Sequence, residues 1–389
     1  MKKNYFEESV KLHREHKGKL KIASKVTLES LDDLSTVYSP GVAQPCLEIH
    51  KNPEMVKELT IKNNTVAVVT DGSAVLGLGN IGAEASIPVM EGKAILFKEF
   101  ADIDAFPICL KTQEVNEIIF IVKNLAPVFG GINLEDIAAP KCFEIEEKLQ
   151  DIGIPVFHDD QHGTAIVLLA ALLNACKVVN KNIKDLKVVI NGAGAAGVAI
   201  MKLLKCINFD NSICISVKEI LMCDTQGIIC KTRKDLNDSK LEILKYCNAR
   251  HEEGTVKDAI KGADVFIGVS KGNLLTSEDI ATMNKDAIVF AMANPIPEIM
   301  PEEAYKGGAA IVGTGRSDLP NQVNNVLAFP GIFRGALDAK ATQITSKMKL
   351  AAAHALANCV PNPSSEHLLP NALDKSVAKI VAEAVKNAW

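Results

Sequence analysis

The sequence predicts an α/β protein of two domains, the second built on a doubly wound parallel sheet. Three observations lead there. Short β-branched runs alternate with stretches of helical period from residue 64 to about residue 315. A G-x-G-x-x-G turn at Gly192 to Gly197 directly follows one such run, "KVVI", and opens an apolar helix. A chain of 389 residues is also longer than one core usually organises.

In chain order, residues 1 to about 50 read as helix, loop and helix, the loop carrying "SKVTLESLDDLSTVYSPGVAQPC". From residue 64 the runs "NTVAVVTDG", "KAILFKEFADIDAFPICL" and "IPVF" read as strands, with helical periods at 113–124 and 140–150 between them. Gly163-Thr164 marks the break before a helix over 164–179. Beyond it, "KVVI", "EILMCDTQGII", "ADVFIGVS", "DAIVFAMANP" and "AAIVGTG" are short strands separated by helical stretches, the pattern of a parallel sheet with crossover helices. The tail from 348 predicts two helices around the loop "CVPNPSSEHLLPN". No linker or repeat interrupts the chain, so the change of pattern alone sets the domains at 1–160 and 161–389.

Composition excludes several classes. The chain is 48% hydrophobic and 23% charged, with a net charge of −4 and a pI near 6.1, which leaves no electrostatic footprint for nucleic acid. The first residues lack the apolar core of a signal peptide. The best apolar run, "AIVLLAALL", stops at Asn174 and reads as a core helix, so no membrane partner is expected. None of the ten cysteines forms a C-x-x-C pair, and most lie in apolar surroundings, so reduced cysteines in a cytoplasmic protein are expected.

G-x-G-x-x-G occurs twice. In "GAGAAG" the context is that of a Rossmann-type dinucleotide site. Gly192 makes the tight turn, Gly194 admits the pyrophosphate to the backbone, and Gly197 allows close helix–strand packing, with Ala195 and Ala196 opening the helix. The following strand ends in Asp224, suited to accept hydrogen bonds from ribose hydroxyls and to repel a 2′-phosphate. With no cation at Thr225 or Gln226, NAD is favoured, although Lys231 and Arg233 are near in sequence and NADP stays open. The other motif, "GLGNIG" at 77–82, is separated from its strand by "DGSAVL" and reads as a loop against substrate or cofactor.

Two acidic pairs, Glu135-Asp136 and Asp159-Asp160, each follow an apolar run and precede a helix. Asp160 or Thr164 alone would serve as a helix cap. Two adjacent acids ask for more. In a parallel α/β domain both pairs fall at one sheet edge, where gathered carboxylates repel unless protonated or bound to a hard cation such as Mg²⁺ or Mn²⁺. "HDDQH" also has the His spacing of H-E-x-x-H zinc sites, but in a strand-end context with Gly163 directly after.

"VYSPGVAQPC", "VVTDGSAVLGLGNIG", "EGKAILFKEFADIDAFPICL", "INLEDIAAPKCFEIEEKL", "FHDDQHGTA", "GAGAAG", "ANPIPE" and "NNVLAFPG" together resemble the malic enzyme family in its short bacterial form, nearly end to end. The resemblance implies an N-terminal substrate and metal domain followed by an NAD(P)-binding Rossmann domain. It also implies oxidative decarboxylation of (S)-malate to pyruvate and CO₂ by a homodimer with a divalent ion. Tyr38 matches the general acid, Lys93 the general base and Asp159 a residue that orients the base. Glu135, Asp136 and Asp160 match the metal ligands. Thr164 and Asn294 match cofactor contacts, and Asn294, Asn324 and Asn325 substrate contacts.

The chain departs from the larger family members by having Ser73, Ala74 and Val75 where an Arg follows "TDG", so either another cation, such as one from a second subunit, meets the substrate carboxylate or selectivity for malate is looser. It also lacks an acyltransferase-like extension, and a single activity is expected. An amino-acid dehydrogenase would share the two-domain layout and a catalytic lysine, but needs no acid clusters. A dinucleotide-sensing protein on a decayed enzyme fold would not keep every reactive position.

Overall fold

The computed structural model describes residues 4–75, 77–210 and 212–389. Strands β1 (Thr65–Thr70), β2 (Asp104–Cys109), β3 (Gly131–Leu134) and β4 (Val156–His158) form a parallel sheet in the order β2-β1-β3-β4. A second sheet contains β5 (Lys187–Asn191), β6 (Glu219–Asp224), β7 (Gly227–Ile228), β8 (Val265–Gly268), β9 (Ala287–Ala291) and β10 (Ala309–Thr314). Its order is β10-β9-β8-β5-β6-β7, parallel except for β7, which returns antiparallel on β6. β5 has β6 on one side and β8 on the other, so the winding reverses beside it and a crevice opens beyond the strand ends.

The helix Asp159–Val179 is long and apolar enough to cross a membrane by composition, yet most of it is buried in the core that joins the two sheets. Within it Asn174 is fully buried and donates to the carbonyls of Ala357 and Leu368 at 2.9 and 2.8 Å. An aromatic cluster lies in the same core, with Phe97 edge-on to Phe329 and Phe333 at centroid distances of 4.8 and 5.3 Å. The C-terminal helices Ser346–Asn358 and Lys375–Asn387 complete it.

Four sequence expectations are corrected. "KAILFKEFA" is not a strand but the second half of the helix Gly82–Ala101. Buried Ala83, Ser86, Met90, Lys93, Ala94, Phe97 and Ala101 follow its period, and Pro88 and Gly92 had hidden it. The helix expected from Thr164 begins at Asp159, so both acids occupy its first turn. The loop before Tyr38 contains a further helix, Leu31–Val37, with a Ser30–Asp33 capping box. Cys206 and Cys214 form a disulfide, whereas the other eight cysteines are free.

The N-terminal helices Tyr5–His16, Leu31–Val37 and Ala43–Lys51 bury no residue. Phe6, Ile22 and Leu31 are each at least 80% exposed. That is a large apolar surface for one chain to leave in water.

Candidate active site

Because β1, β3 and β4 run parallel, the residues just past them share one edge of the sheet. These are Asp71, Glu135-Asp136 and Asp159-Asp160. Lys93 reaches this edge from the buried face of the helix Gly82–Ala101. Its Nζ lies 2.7 Å from Asp159 Oδ2 and 2.9 Å from Glu135 Oε1, and 4.4 Å from the centre of the Phe329 ring. Asn325 donates to the same Asp159 oxygen at 2.5 Å, and Asn133 donates to Glu135 Oε2 at 2.8 Å. Oxygens of Glu135, Asp136 and Asp160 all lie within 4.8 Å of one another.

The electrostatics follow from this crowding. Burial pushes Glu135 well above the usual carboxylate range, with Asp160 adding to the shift and Lys93 opposing it. Asp159 moves the same way, chiefly through burial. Burial alone would depress Lys93, but Asp159 and Glu135 outweigh it and hold the ammonium charged. Asp160 keeps 34% of its side chain exposed and so stands at the mouth of the cluster.

Local backbone geometry is tuned to the site. Asp136 adopts φ 53°, a left-handed conformation costly for a residue with a Cβ. Its N–H donates to Asp160 Oδ2 at 2.8 Å, and its carbonyl accepts the N–H of Ala74 at 2.9 Å. Gly163, inside the helix, is required for a different reason. A Cβ there would stand 1.9 Å from Asp159 Oδ1. The two histidines of "HDDQH" do not converge on one point: His162 pairs with Glu146 at 2.9 Å, whereas His158, buried at the end of β4, has its Nδ1 3.8 Å from Asp160 Oδ2. Among the described residues the group placed to hold an ion contains no histidine, which leaves the zinc reading without geometric support.

The loop between β1 and the helix Gly82–Ala101 folds back on itself, with the N–H groups of Ile81 and Gly82 on the Gly72 carbonyl. Ser73 donates to Asp71 at 2.6 Å and accepts the Ala138 N–H at 2.9 Å, which braces the Asp136 turn. Lys141 pairs with Asp71. Neither Asp71 nor Lys141 was singled out from sequence, although Asp71 carries the same signal as the other acids, a carboxylate directly after a buried strand. A Cβ on Gly77 would lie 3.1 Å from the Asn294 carbonyl, so the first glycine loop faces the Asn294 segment of the other sheet.

Two expected site residues lie elsewhere. Tyr38 ends the helix Leu31–Val37, is 68% exposed and makes no hydrogen bond or ion pair with the cluster among the described residues. The Asn324 side chain accepts the Val326 N–H and lines a cavity of about 610 Å³ between the helix Gly82–Ala101 and the loop 366–373. Asn294 is exposed beside Gly315, and Thr164 is half-buried in the second turn of its helix.

In the second domain Gly192 has φ 129°, and a Cβ on it would meet the Val269 carbonyl at 2.8 Å. A Cβ on Gly197 would stand 1.8 Å from the Gly192 carbonyl, whereas one on Gly194 would meet nothing within 4 Å. The turn is therefore closed behind and open in front. Gly194 caps the helix Ala195–Leu204, whose first N–H groups, from Ala195 onward, face that opening. The Gly192 N–H bonds the carbonyl of Cys223, which ties the turn to the residue before Asp224.

Family models match nearly the whole chain, the malic enzyme N-terminal domain at residues 17–150 and the malic enzyme NAD-binding domain at 161–389. The chain belongs to the malic enzyme family. It is 56% identical to the bifunctional malic/malolactic enzyme of Bacillus subtilis, over 98% of this chain and 92% of that one. It is 53% identical to the NAD-dependent malic enzyme of Geobacillus stearothermophilus, over 95% of this chain and 76% of that one. The solved NAD-dependent malic enzyme of Thermotoga maritima superposes with a TM-score of 0.93 at 50% identity, over 98% and 99% of the two chains. As a malic enzyme, the protein is an NAD(P)-dependent oxidoreductase of oxidative malate decarboxylation.

Proposed function

We propose that the Lys93 cluster is the reaction centre for (S)-malate, and that Glu135, Asp136 and Asp160 hold a divalent cation, Mg²⁺ or Mn²⁺. The observation that carries this reading is one buried lysine in contact with Asp159 and Glu135 beside a three-carboxylate oxygen cluster. The donors suit a hard cation, being oxygen only, closely spaced and burdened with like charge. Such an ion would supply acidification of malate's C2 hydroxyl and withdrawal of electrons toward the C2 oxygen.

Lys93 then takes the C2 hydroxyl proton while hydride passes from C2 to the nicotinamide. For that step it must first be neutral, whereas Asp159 and Glu135 hold it charged; a cation held by Glu135, Asp136 and Asp160 would oppose that field. Asp159, held by Asn325, keeps the lysine in place. Loss of the C4 carboxylate leaves an enol, and Tyr38 delivers the proton to C3 that yields pyruvate. Asn294 and Asn325, with Asn324 behind them, border the space for substrate and nicotinamide. Gly192, Gly194, Ala195, Ala196 and Gly197 receive the pyrophosphate, with Thr164 on the cofactor side. NAD is the cofactor, with NADP as an alternative.

A homodimer in the cytoplasm completes the reading. Exposed Tyr38 and the exposed apolar side chains of the N-terminal segment, such as Phe6 and Leu31, support a packing in which a second copy covers this segment and brings Tyr38 to a cluster. Reduced-nicotinamide absorbance with malate, Mn²⁺ and NAD or NADP tests the whole reading. Turnover should vanish in chelator and return with Mn²⁺. Undiminished malate oxidation in chelator would remove the cation from the mechanism.

A further inference from the structure

β4 is an edge strand of its sheet, so an N–H that turns away from β3 has no ladder partner. At the last residue of the strand, His158, the N–H donates instead to Glu146 Oε1 at 3.2 Å. Glu146 reaches it from the helix Lys141–Lys148, which packs against β4. The same carboxylate meets the His162 ring, with Nε2 2.9 Å from Oε1 and 3.0 Å from Oε2. One side chain therefore grips the chain at residues 158 and 162.

Asp159 and Asp160 lie between those two points, at the start of the helix Asp159–Val179. His158 occupies the N-cap position of that helix and makes no side-chain cap bond. Asp160 accepts the Asp136 N–H at 2.8 Å, but His158 Nδ1 stands 3.8 Å from Asp160 Oδ2, beyond hydrogen-bond range. With no cap of its own to fix where it begins, the first turn takes its place from Glu146.

The chemistry of Glu146 suits that task. Burial would raise its pKa, but His162 and Lys349 outweigh burial and keep the carboxyl ionised. An ionised carboxylate only accepts, so the His162 ring carries a proton on the Nε2 that meets it. The charge also stands at the N-terminal end of a 21-residue helix, the end that favours an anion. Lys349 comes from the helix Ser346–Asn358, with Nζ 6.0 Å from the centre of the Phe157 ring, so the corner is held from the C-terminal helices as well.

We propose that Glu146 is a positioning residue for the cation site: by gripping residues 158 and 162 it fixes the corner from which Asp160 faces the cation and Asp159 meets Lys93. The proposal rests on the reading of Glu135, Asp136 and Asp160 as the cation ligands. Groups that orient metal ligands without touching the ion are worth about ten- to a hundredfold in metal affinity. Glutamine cannot replace this carboxylate, because its amide turns one acceptor oxygen into a donor facing two N–H groups. The glycine turn Gly192–Gly197 belongs to the other sheet, so dinucleotide binding should not follow the loss.

Equilibrium binding of Mn²⁺ to the chelator-stripped full-length protein, followed by electron paramagnetic resonance of the free ion without malate, tests this apart from turnover. NADH fluorescence is the parallel measurement. Wild type should bind Mn²⁺ and Asp160→Asn should bind it far more weakly. Glu146→Ala and Glu146→Gln should each weaken Mn²⁺ binding about tenfold or more while NADH binding stays within about threefold, and the glutamine variant decides if the alanine variant does not fold. Asn174→Leu, a buried polar loss further along the same helix, should leave both affinities within about threefold, which separates orientation from general destabilisation. The proposal is overturned if Glu146→Gln weakens Mn²⁺ by less than about threefold, if its NADH affinity falls by the same factor, or if Asn174→Leu loses as much Mn²⁺ affinity. If wild type binds no Mn²⁺, or Asp160→Asn binds it equally well, the cation reading fails and takes this proposal with it.

Discussion

Single atoms set the geometry around Lys93, and two substitutions separate its parts. Asp160→Asn removes one charged oxygen of the proposed cation site, at the open mouth of the cluster, without touching the glycine turn. Metal-dependent malate turnover should fall at least about a hundredfold while NADH binding persists. Chelator-insensitive activity in that variant would contradict the assignment. Gly163→Ala is the sharper case, because alanine in a helix interior normally stabilises by about 1 kcal/mol relative to glycine. Here its methyl would sit 1.9 Å from Asp159 Oδ1, so Asp159 must leave its bonds with Lys93 and Asn325. We expect a folded protein by circular dichroism with turnover reduced about a hundredfold, the scale of a misplaced reacting group. Full activity would mean that Asp159 does not orient the lysine.

Between elements, two buried polar anchors join what the backbone brings near. Asn174 ties the central helix to the Ala357 and Leu368 carbonyls, so Asn174→Leu leaves both without that donor. The loss should be about 2–4 kcal/mol in urea unfolding, with turnover of the surviving fold little changed. Glu146 on the helix Lys141–Lys148 accepts the His158 N–H at 3.2 Å and pairs with His162, which joins that helix to β4 and to the first turn of the central helix. Burial would raise its pKa, but His162 and Lys349 outweigh burial and bring it down to about 2 from 4.5. A lowered carboxyl stabilises the fold above its unfolded value and loses that contribution as pH falls toward its folded one. Burial holds His162 below its ordinary 6.5, so the ion pair itself forms only as pH falls into that range; the stability gap between wild type and Glu146→Gln should then narrow from pH 4.5 toward pH 2, and a gap that widens between those two values would refute the ion pair. Secondary structure at this scale was mostly legible, since the strands at 65–70, 187–191 and 287–291 are short apolar runs with few alternatives. "KAILFKEF" was not, because it satisfies a strand and a helix equally and only burial of Met90, Lys93, Ala94 and Phe97 on one face decides.

For the whole molecule, the question is whether Tyr38, exposed in one chain, meets the buried Lys93 as proposed. If each centre draws Lys93 from one copy and Tyr38 from another, two inactive variants should complement. Lys93→Ala and Tyr38→Phe, refolded together, should recover pyruvate formation that neither shows alone, because one centre in the mixed dimer then holds both native residues. Sedimentation should report a dimer for each variant. Absence of recovery in a confirmed mixed dimer would mean that both groups come from one chain.

The sequence by itself determined the local matters: which runs become strands, the glycine turn with its positive φ at Gly192, and carboxylates placed directly after β3 and β4. These depend on periodicity, on the φ range open to glycine, and on the rule that parallel strands end at one edge. Family resemblance added Lys93 and Tyr38 before any contact was known. Tertiary structure decided which charges meet. The bonds from Asp159 to Lys93 and Asn325 join residues 66 and 166 positions apart, and Asp224 finds Arg233 and Lys240 only because β7 turns back. An ion pair has no sequence period. Its energy depends on separation and burial, and both exist only once the chain has packed.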